Sequence, residues 1–169
     1  MSQLPSTYTL ISSNVLSSSA ASVTFSAIPS TYTDLVLRWS VNTSSLQDGT
    51  IYFNGTLGTT NYSRTFIAGN GATASSGRAS NREAIDMDYI GSATANTFAS
   101  GEIYLPNYAG STNKPLSTIS ALEANSTTAY LRANAGLARV TAAVSSLTMA
   151  AAGTFSSGSS FYLYGIKNS

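Results

Sequence analysis

The sequence predicts an all-β protein, an antiparallel jelly-roll β-sandwich of about eight to ten strands. Three observations carry this expectation. Short apolar or alternating runs recur along the chain, separated by clusters of Ser, Gly, Asn and Thr, the pattern of many short strands joined by turns. The one Ala-rich stretch that would suit a helix, Tyr130 to Met149, is interrupted by Gly136, Val140, Thr141, Val144 and a double Ser, and its flanks are β-like. The last strand, "FYLYGI", sends Phe161 and Leu163 to one face and Tyr162, Tyr164 and Ile166 to the other. An interior sandwich strand packs one face on the opposed sheet, so large residues on both faces imply a second cover, from another subunit or a long loop.

The elements follow in order. "YTLIS" at Tyr8 to Ile11 and "SVTFS" around Val23 to Phe25 read as two early strands. "DLVLRWSVNT", Asp34 to Thr43, alternates most clearly: Leu35, Leu37, Trp39 and Val41 share a face, which places Trp39 in the core. Thr50 to Phe53 is a strand entering a reversal at Asn54-Gly55, a pair that tolerates positive φ. "NYSRTFIAG" is another strand, with Tyr62, Arg64 and Phe66 on one side. Gly69 to Glu83 is small, polar and aperiodic, and reads as the longest loop. Beyond it, Ile85, Met87 and Tyr89 alternate with Asp86 and Asp88, and Ile103 and Leu105 with Glu102 and Tyr104. Leu116, Ile119 and Leu122 continue at mixed spacing before the Ala-rich stretch. No repeat and no Pro-rich linker divides the chain, so residues 1–169 are expected as one domain, with 1–9 as a possible extended arm.

Composition narrows the function. About three residues in ten are Ser or Thr, and only 9% are charged, against about 25% in ordinary soluble domains. Eight Lys plus Arg against seven Asp plus Glu leave a formal charge of +1, with no basic cluster to meet phosphates. A nucleic-acid partner is therefore not expected. The N-terminus "MSQLPSTYTLISS" lacks a basic region and a long apolar run, and no later run approaches a membrane span, so neither a secretion signal nor a membrane partner is expected. The absence of Cys removes disulfides, thiolate catalysis and zinc-thiolate sites; the absence of His removes Ser-His-Asp and Cys-His chemistry and the commonest metal ligand.

An enzyme would have to work with carboxylates, Lys, Tyr or Ser. Asp86 and Asp88, two apart on one strand face, have the spacing for a calcium site or an acid/base pair, but are more simply the solvated face of a half-buried strand. Glu102 and Glu123 stand singly on other strands. "GNGATASSG" lacks the Gly-Lys-Ser/Thr ending of a phosphate loop. The sequons at Asn42, Asn54, Asn61 and Asn125 are what an Asn-, Ser- and Thr-rich chain produces by composition. Tyr52, Tyr62, Tyr89, Tyr104 and Tyr108 offer a sugar-stacking surface or, more simply, core and interface. The sequence thus predicts no catalytic residues, no metal and no cofactor.

The closing segment "VSSLTMAAAGTFSSGSSFYLYGIKNS", with its Gly-x-Phe, Ser-Gly-Ser and Leu-Tyr-Gly-Ile, resembles the C-terminal end of small virion proteins of tailed bacteriophages, including cyanophages. "FSAIPSTYTDLVLRWSVNT", "IYFNG" and "NYS" are similar to the earlier part of the same group. These motifs are structural. The resemblance implies a jelly roll serving as a capsid cement, or decoration, protein or as a tail-fibre domain; the chain has no coiled-coil heptad, collagen-like repeat or separate tail-attachment domain. The expectation is a non-enzymatic virion protein, made in the host cytoplasm and located on the outer surface of the capsid. There it would bind the major capsid protein as a homotrimer. The alternative is a receptor-binding head that recognises host surface glycan. Leu4, Pro5 and Tyr8 in the arm and Tyr162 and Tyr164 in the last strand are the interface candidates, and Gly69 to Glu83 is assigned to the outer surface.

Overall fold

A computed structural model describes residues 7–44, 48–58, 60–92 and 94–167, with the Glu123 side chain outside the description. Those residues form twelve strands and no helix: β1 (Tyr8–Val15), β2 (Ala20–Phe25), β3 (Asp34–Val41), β4 (Gly49–Phe53), β5 (Tyr62–Gly69), β6 (Ala74–Arg82), β7 (Ile85–Met87), β8 (Ala99–Leu105), β9 (Lys114–Glu123), β10 (Ala129–Ala138), β11 (Leu147–Phe155) and β12 (Ser160–Ile166). Eight make one sheet in the order β1-β12-β3-β8-β9-β10-β5-β6, and four make a second in the order β2-β11-β4-β7. All strand pairings are antiparallel, and β1·β12, β2·β11, β3·β8 and β4·β7 nest inside one another along the chain. The β5–β6 and β9–β10 hairpins extend the larger sheet beyond that nested set.

A shared core gives the two sheets a β-sandwich architecture. Leu35, Leu37, Trp39 and Val41 of β3, Ile103 and Leu105 of β8, and Phe161 and Leu163 of β12 meet Val23, Phe25, Ile51, Phe53, Leu147 and Met149 of the smaller sheet. Trp39 lies there as its alternation predicts, its Nε1–H donating to the Ile90 carbonyl at 3.1 Å. Phe53-Asn54-Gly55-Thr56 is a tight turn with φ of 53° and 67° at its centre, closed by Thr56 N–H to the Phe53 carbonyl at 3.0 Å. The chain then crosses to the other sheet, so this turn makes no hairpin.

The strand count exceeds the eight to ten expected, and the largest difference is Gly69 to Glu83. In place of one long loop, residues 70–73 turn and 74–82 return as β6 along β5. Asn70 Oδ1 accepts from the Ala72 and Thr73 amides at 3.0 and 2.7 Å, and Gly71 takes a φ of 82°. β6 escapes a pattern search because no residue in it is buried; without a dry face there is no apolar alternation to read. Two smaller corrections follow. Tyr89 has a φ of 58° and lies beyond β7, which stops at Met87. Ile119 points out of the sandwich between inward Thr118 and Ser120, which explains the mixed spacing around it. The Ala-rich stretch is β as expected, as β10 and β11, although residues 139–146 between them form no strand.

Candidate interaction surface

The outward face of the eight-stranded sheet collects the interface candidates. Register sets Tyr162 and Tyr164 of β12 opposite Arg38 and Val36 of β3 on one side and Ser13 and Leu10 of β1 on the other. Tyr8 joins them, its ring meeting Tyr164 edge-on at 6.3 Å while the Arg38 guanidinium lies 5.7 Å from its centroid. Tyr8 is therefore part of an edge strand, and so is Thr9, both having been assigned to an arm; Leu4 and Pro5 fall outside the described residues. On the second face of β12 Tyr162 and Tyr164 are half-buried among the outward side chains of the flanking strands β1 and β3, with no layer of the chain packed over them among the described residues. Next to them Tyr104 O–H donates to Asp34 Oδ2 at 2.7 Å, and that bond, with burial, raises the phenol above its ordinary pKa.

Further across the same face lie three residues that were not among the sequence's interface candidates. Ile67 (61% exposed), Ile119 (51%) and Leu131 (47%) project from β5, β9 and β10. Ile67 and Ile119 both stand opposite Ala133, and Leu131 stands opposite Ala121 and Gly69. Small residues between large ones leave two shallow grooves with Leu131 as the shared wall. One, of about 400 Å³, runs between Glu102, Ile119 and Leu131; the other, of about 460 Å³, lies between Ile67 and Leu131. The outward-facing charges among the described side chains of this sheet are Asp34, Arg38, Arg78 and Glu102. Asp34 is buried, and Arg38 donates through Nε to Glu102 at 2.7 Å. The face mixes exposed aliphatic residues with tyrosines and Ser and Thr hydroxyls, and its described side chains carry few charges. Its signal in the sequence was the outward parity of Ile119, visible only once Thr118 and Ser120 are known to face in.

The carboxylate pair has a different setting. Asp86 on β7 accepts from Arg82 through Nε at 2.8 Å and Nη2 at 3.1 Å. Asp88, beyond the strand end, faces Arg64 Nη1 at 3.3 Å and also pairs with Arg132. Arg132 projects inward from β10, its guanidinium carbon 3.6 Å from the Phe66 ring centroid, with that of Arg64 at 5.1 Å. Burial lowers the Arg132 pKa, and the Asp88 charge opposes that fall. Asp88 thus anchors the buried Arg132 and the partly buried Arg64, and Asp86 holds the exposed Arg82; both aspartates border a groove of about 300 Å³ with Asp48 and Thr50. Glu102 is the ion-pair partner of Arg38, and the side chain of Glu123 is outside the description. Among the described residues no group of three His, Cys, Asp or Glu is disposed to hold a metal ion.

The five tyrosines considered for sugar stacking do not line one surface. Tyr62 and Tyr108 are fully buried: the Tyr62 hydroxyl accepts from the Phe53 amide at 3.1 Å, and Tyr108 O–H donates to the Pro29 carbonyl. Tyr89 packs on Tyr130 with centroids 5.2 Å apart. Two sequon asparagines are structural pins. Asn42 Nδ2 reaches the carbonyls of Ser92, Thr94 and Thr97 at 2.7 to 2.8 Å, and Asn54 bridges its turn to Ala143, Ser145 and Ser146. No protein-family model, curated protein or solved structure matches the chain.

Proposed function

We propose that the protein is a capsid decoration protein of a tailed bacteriophage, a homotrimer that binds the assembled icosahedral head from outside and clamps neighbouring major capsid subunits. The observation that carries the reading is the cluster of exposed aliphatic side chains, Ile67, Ile119 and Leu131, on the sparsely charged outward face of the eight-stranded sheet. Apolar patches of this kind mark protein contact surfaces. The nested strand pairings support reading the framework as a jelly roll, one long antiparallel ribbon wrapped into two sheets, with the β5–β6 and β9–β10 hairpins as additions that widen one of them. The resemblance of the closing strand to small virion proteins points the same way.

The mechanism is associative. A protein that binds the assembled lattice and not its free subunits adds its binding free energy to the shell by mass action. Three linked copies multiply a modest single contact into avidity. A low-charge surface rich in hydroxyls packs in many copies without mutual repulsion. The competing reading, a receptor-binding head for host glycan, calls for exposed aromatic rings along a groove; the grooves here are walled mainly by Ile67, Ile119, Leu131 and small residues, and Trp39, the aromatic ring that borders one of them beside Arg38 and Glu102, is buried.

The test is the copy number of this protein in purified virions, by quantitative mass spectrometry against the major capsid protein. A number comparable to the capsid protein is expected. A small minority count would overturn the decoration role and favour the tail and glycan binding.

A further inference from the structure

The two ends of the eight-stranded sheet are long strands, and the β1 end carries fewer of the usual protections of a sheet edge than the β6 end. Exposed edge strands are normally kept from pairing by charge, proline, brevity or bulges. β7, an edge of the smaller sheet, shows two of these devices, being three residues long and carrying Asp86. β1, "YTLISSNV", has eight residues, no charge and no proline, and its single interruption is a bulge at Ile11. Leu10 and Val15 project from it 52% and 60% exposed. At the opposite end, β6 has nine residues, none of them buried; it carries Arg78 and Arg82 and one register shift near its end, which leaves the run from Ala74 to Ala79 regular. Its order comes from the β5 ladder and a few side-chain bonds such as Arg82 to Asp86, with only Gly77 and Ala79 partly buried to offset the entropy of fixing its backbone. Among the described residues no strand lies beyond either.

We infer that β1 of one copy pairs with β6 of the next, joining the large sheets of neighbouring copies edge to edge. Strand direction fits this junction. Eight strands that alternate in direction leave β1 and β6 antiparallel to each other, so a second copy placed beside the first, outward face continuing into outward face, brings them together in the more stable antiparallel sense. Length fits as well: eight and nine residues span roughly 26 and 30 Å at about 3.3 Å each. Charge does not oppose it, because Arg78, the charge on the outward side of β6, would meet a strand with none. The contact is head-to-tail, using two different surfaces of each chain, and this is the type of contact that closes into a ring when its rotation permits. The inference rests on the oligomeric part of the proposed function and names its interface. The main-chain ladder would give affinity, as in other strand additions.

The chain lacks cysteine, so trapping is free of background. Chains carrying Ser13→Cys and Ser76→Cys, both outward-facing positions, are prepared separately, mixed, and treated with a short bis-maleimide. A covalent dimer is expected from the mixture and from neither chain alone. Ser13→Cys linking to itself would replace this junction with a two-fold β1–β1 contact and overturn it. A monomer by light scattering, with no cross-link, would also overturn it. In parallel, Leu10→Lys with Val15→Lys is expected to weaken self-association by roughly tenfold or more with an unchanged far-ultraviolet spectrum. Should that variant lose its fold, the trapping result decides alone. Head binding separates the two readings: an assembly that traps through β1 and β6 but ignores capsids sinks the decoration role only, and a monomer that coats capsids sinks the junction only.

Discussion

Arg132 is a cation that the fold has taken out of water. Its side chain is 5% exposed, it rests on Phe66, and Asp88 is its carboxylate partner. Deleting one member of such a pair leaves the other charge buried, which is far more costly than deleting both. Asp88→Ala is accordingly expected to lower the unfolding free energy by about 3 kcal/mol in urea titrations, and the double variant Asp88→Ala, Arg132→Met to recover more than half of that loss. An equal loss in both variants would show that the pair does not act as a unit. Gly101 makes a second residue-level case. A Cβ added there would collide with Trp39 Cζ2 and sit 2.7 Å from the Ile119 carbonyl oxygen. Since Trp39 is fixed by its bond to Ile90, it cannot yield easily. Gly101→Ala is expected to destabilise by about 1–3 kcal/mol, read from the denaturation midpoint at constant slope.

At the scale of elements, legibility followed burial. β3 could be read with its faces assigned because one face lies against the second sheet and the alternation records that asymmetry. The tight turn at Asn54-Gly55 was equally plain, since positive φ narrows the residue choice. β6 left no trace because both its faces are open, and Ile119 misled because the positions that face inward beside it are Thr118 and Ser120, polar residues held by the Asn134 and Asp88 contacts of the buried cluster. The candidate face was half legible: Tyr162 and Tyr164 follow from strand parity, Tyr8 was named for an arm and lies instead on an edge strand beside them, and Ile67, Ile119 and Leu131 need the strand order, which brings together residues from three separate strands. The hairpin gives a prediction at this scale. Asn70→Ala removes the acceptor for two turn amides, at a cost of about 1 kcal/mol, and because β6 buries no residue the loss should remain local. Amide exchange is expected to quicken along β6 and stay unchanged in β3; acceleration in β3 as well would mean that the hairpin is coupled to the core.

For the molecule as a whole, the nested framework and its additions have separable consequences. The four nested pairings hold most of the core, to which β5, β9 and β10 add Tyr62, Leu116 and Ala138; with β6 these strands widen one sheet to twice the strand number of the other, and this widening creates the outward surface carrying Ile67, Ile119 and Leu131. Residues of that kind contribute little to the stability of an isolated chain, because they are about half exposed already; their value lies in what they would bury against a partner. A triple substitution, Ile67→Lys, Ile119→Lys and Leu131→Lys, is therefore expected to shift unfolding by no more than about 0.5 kcal/mol per site. Under the decoration reading the same variant should lose binding to expanded heads in co-sedimentation, since three desolvated ammonium groups oppose a contact that three aliphatic side chains favoured. Retained head binding with unchanged stability would remove this face from the capsid contact. A large loss of stability would show instead that the three side chains already serve the fold.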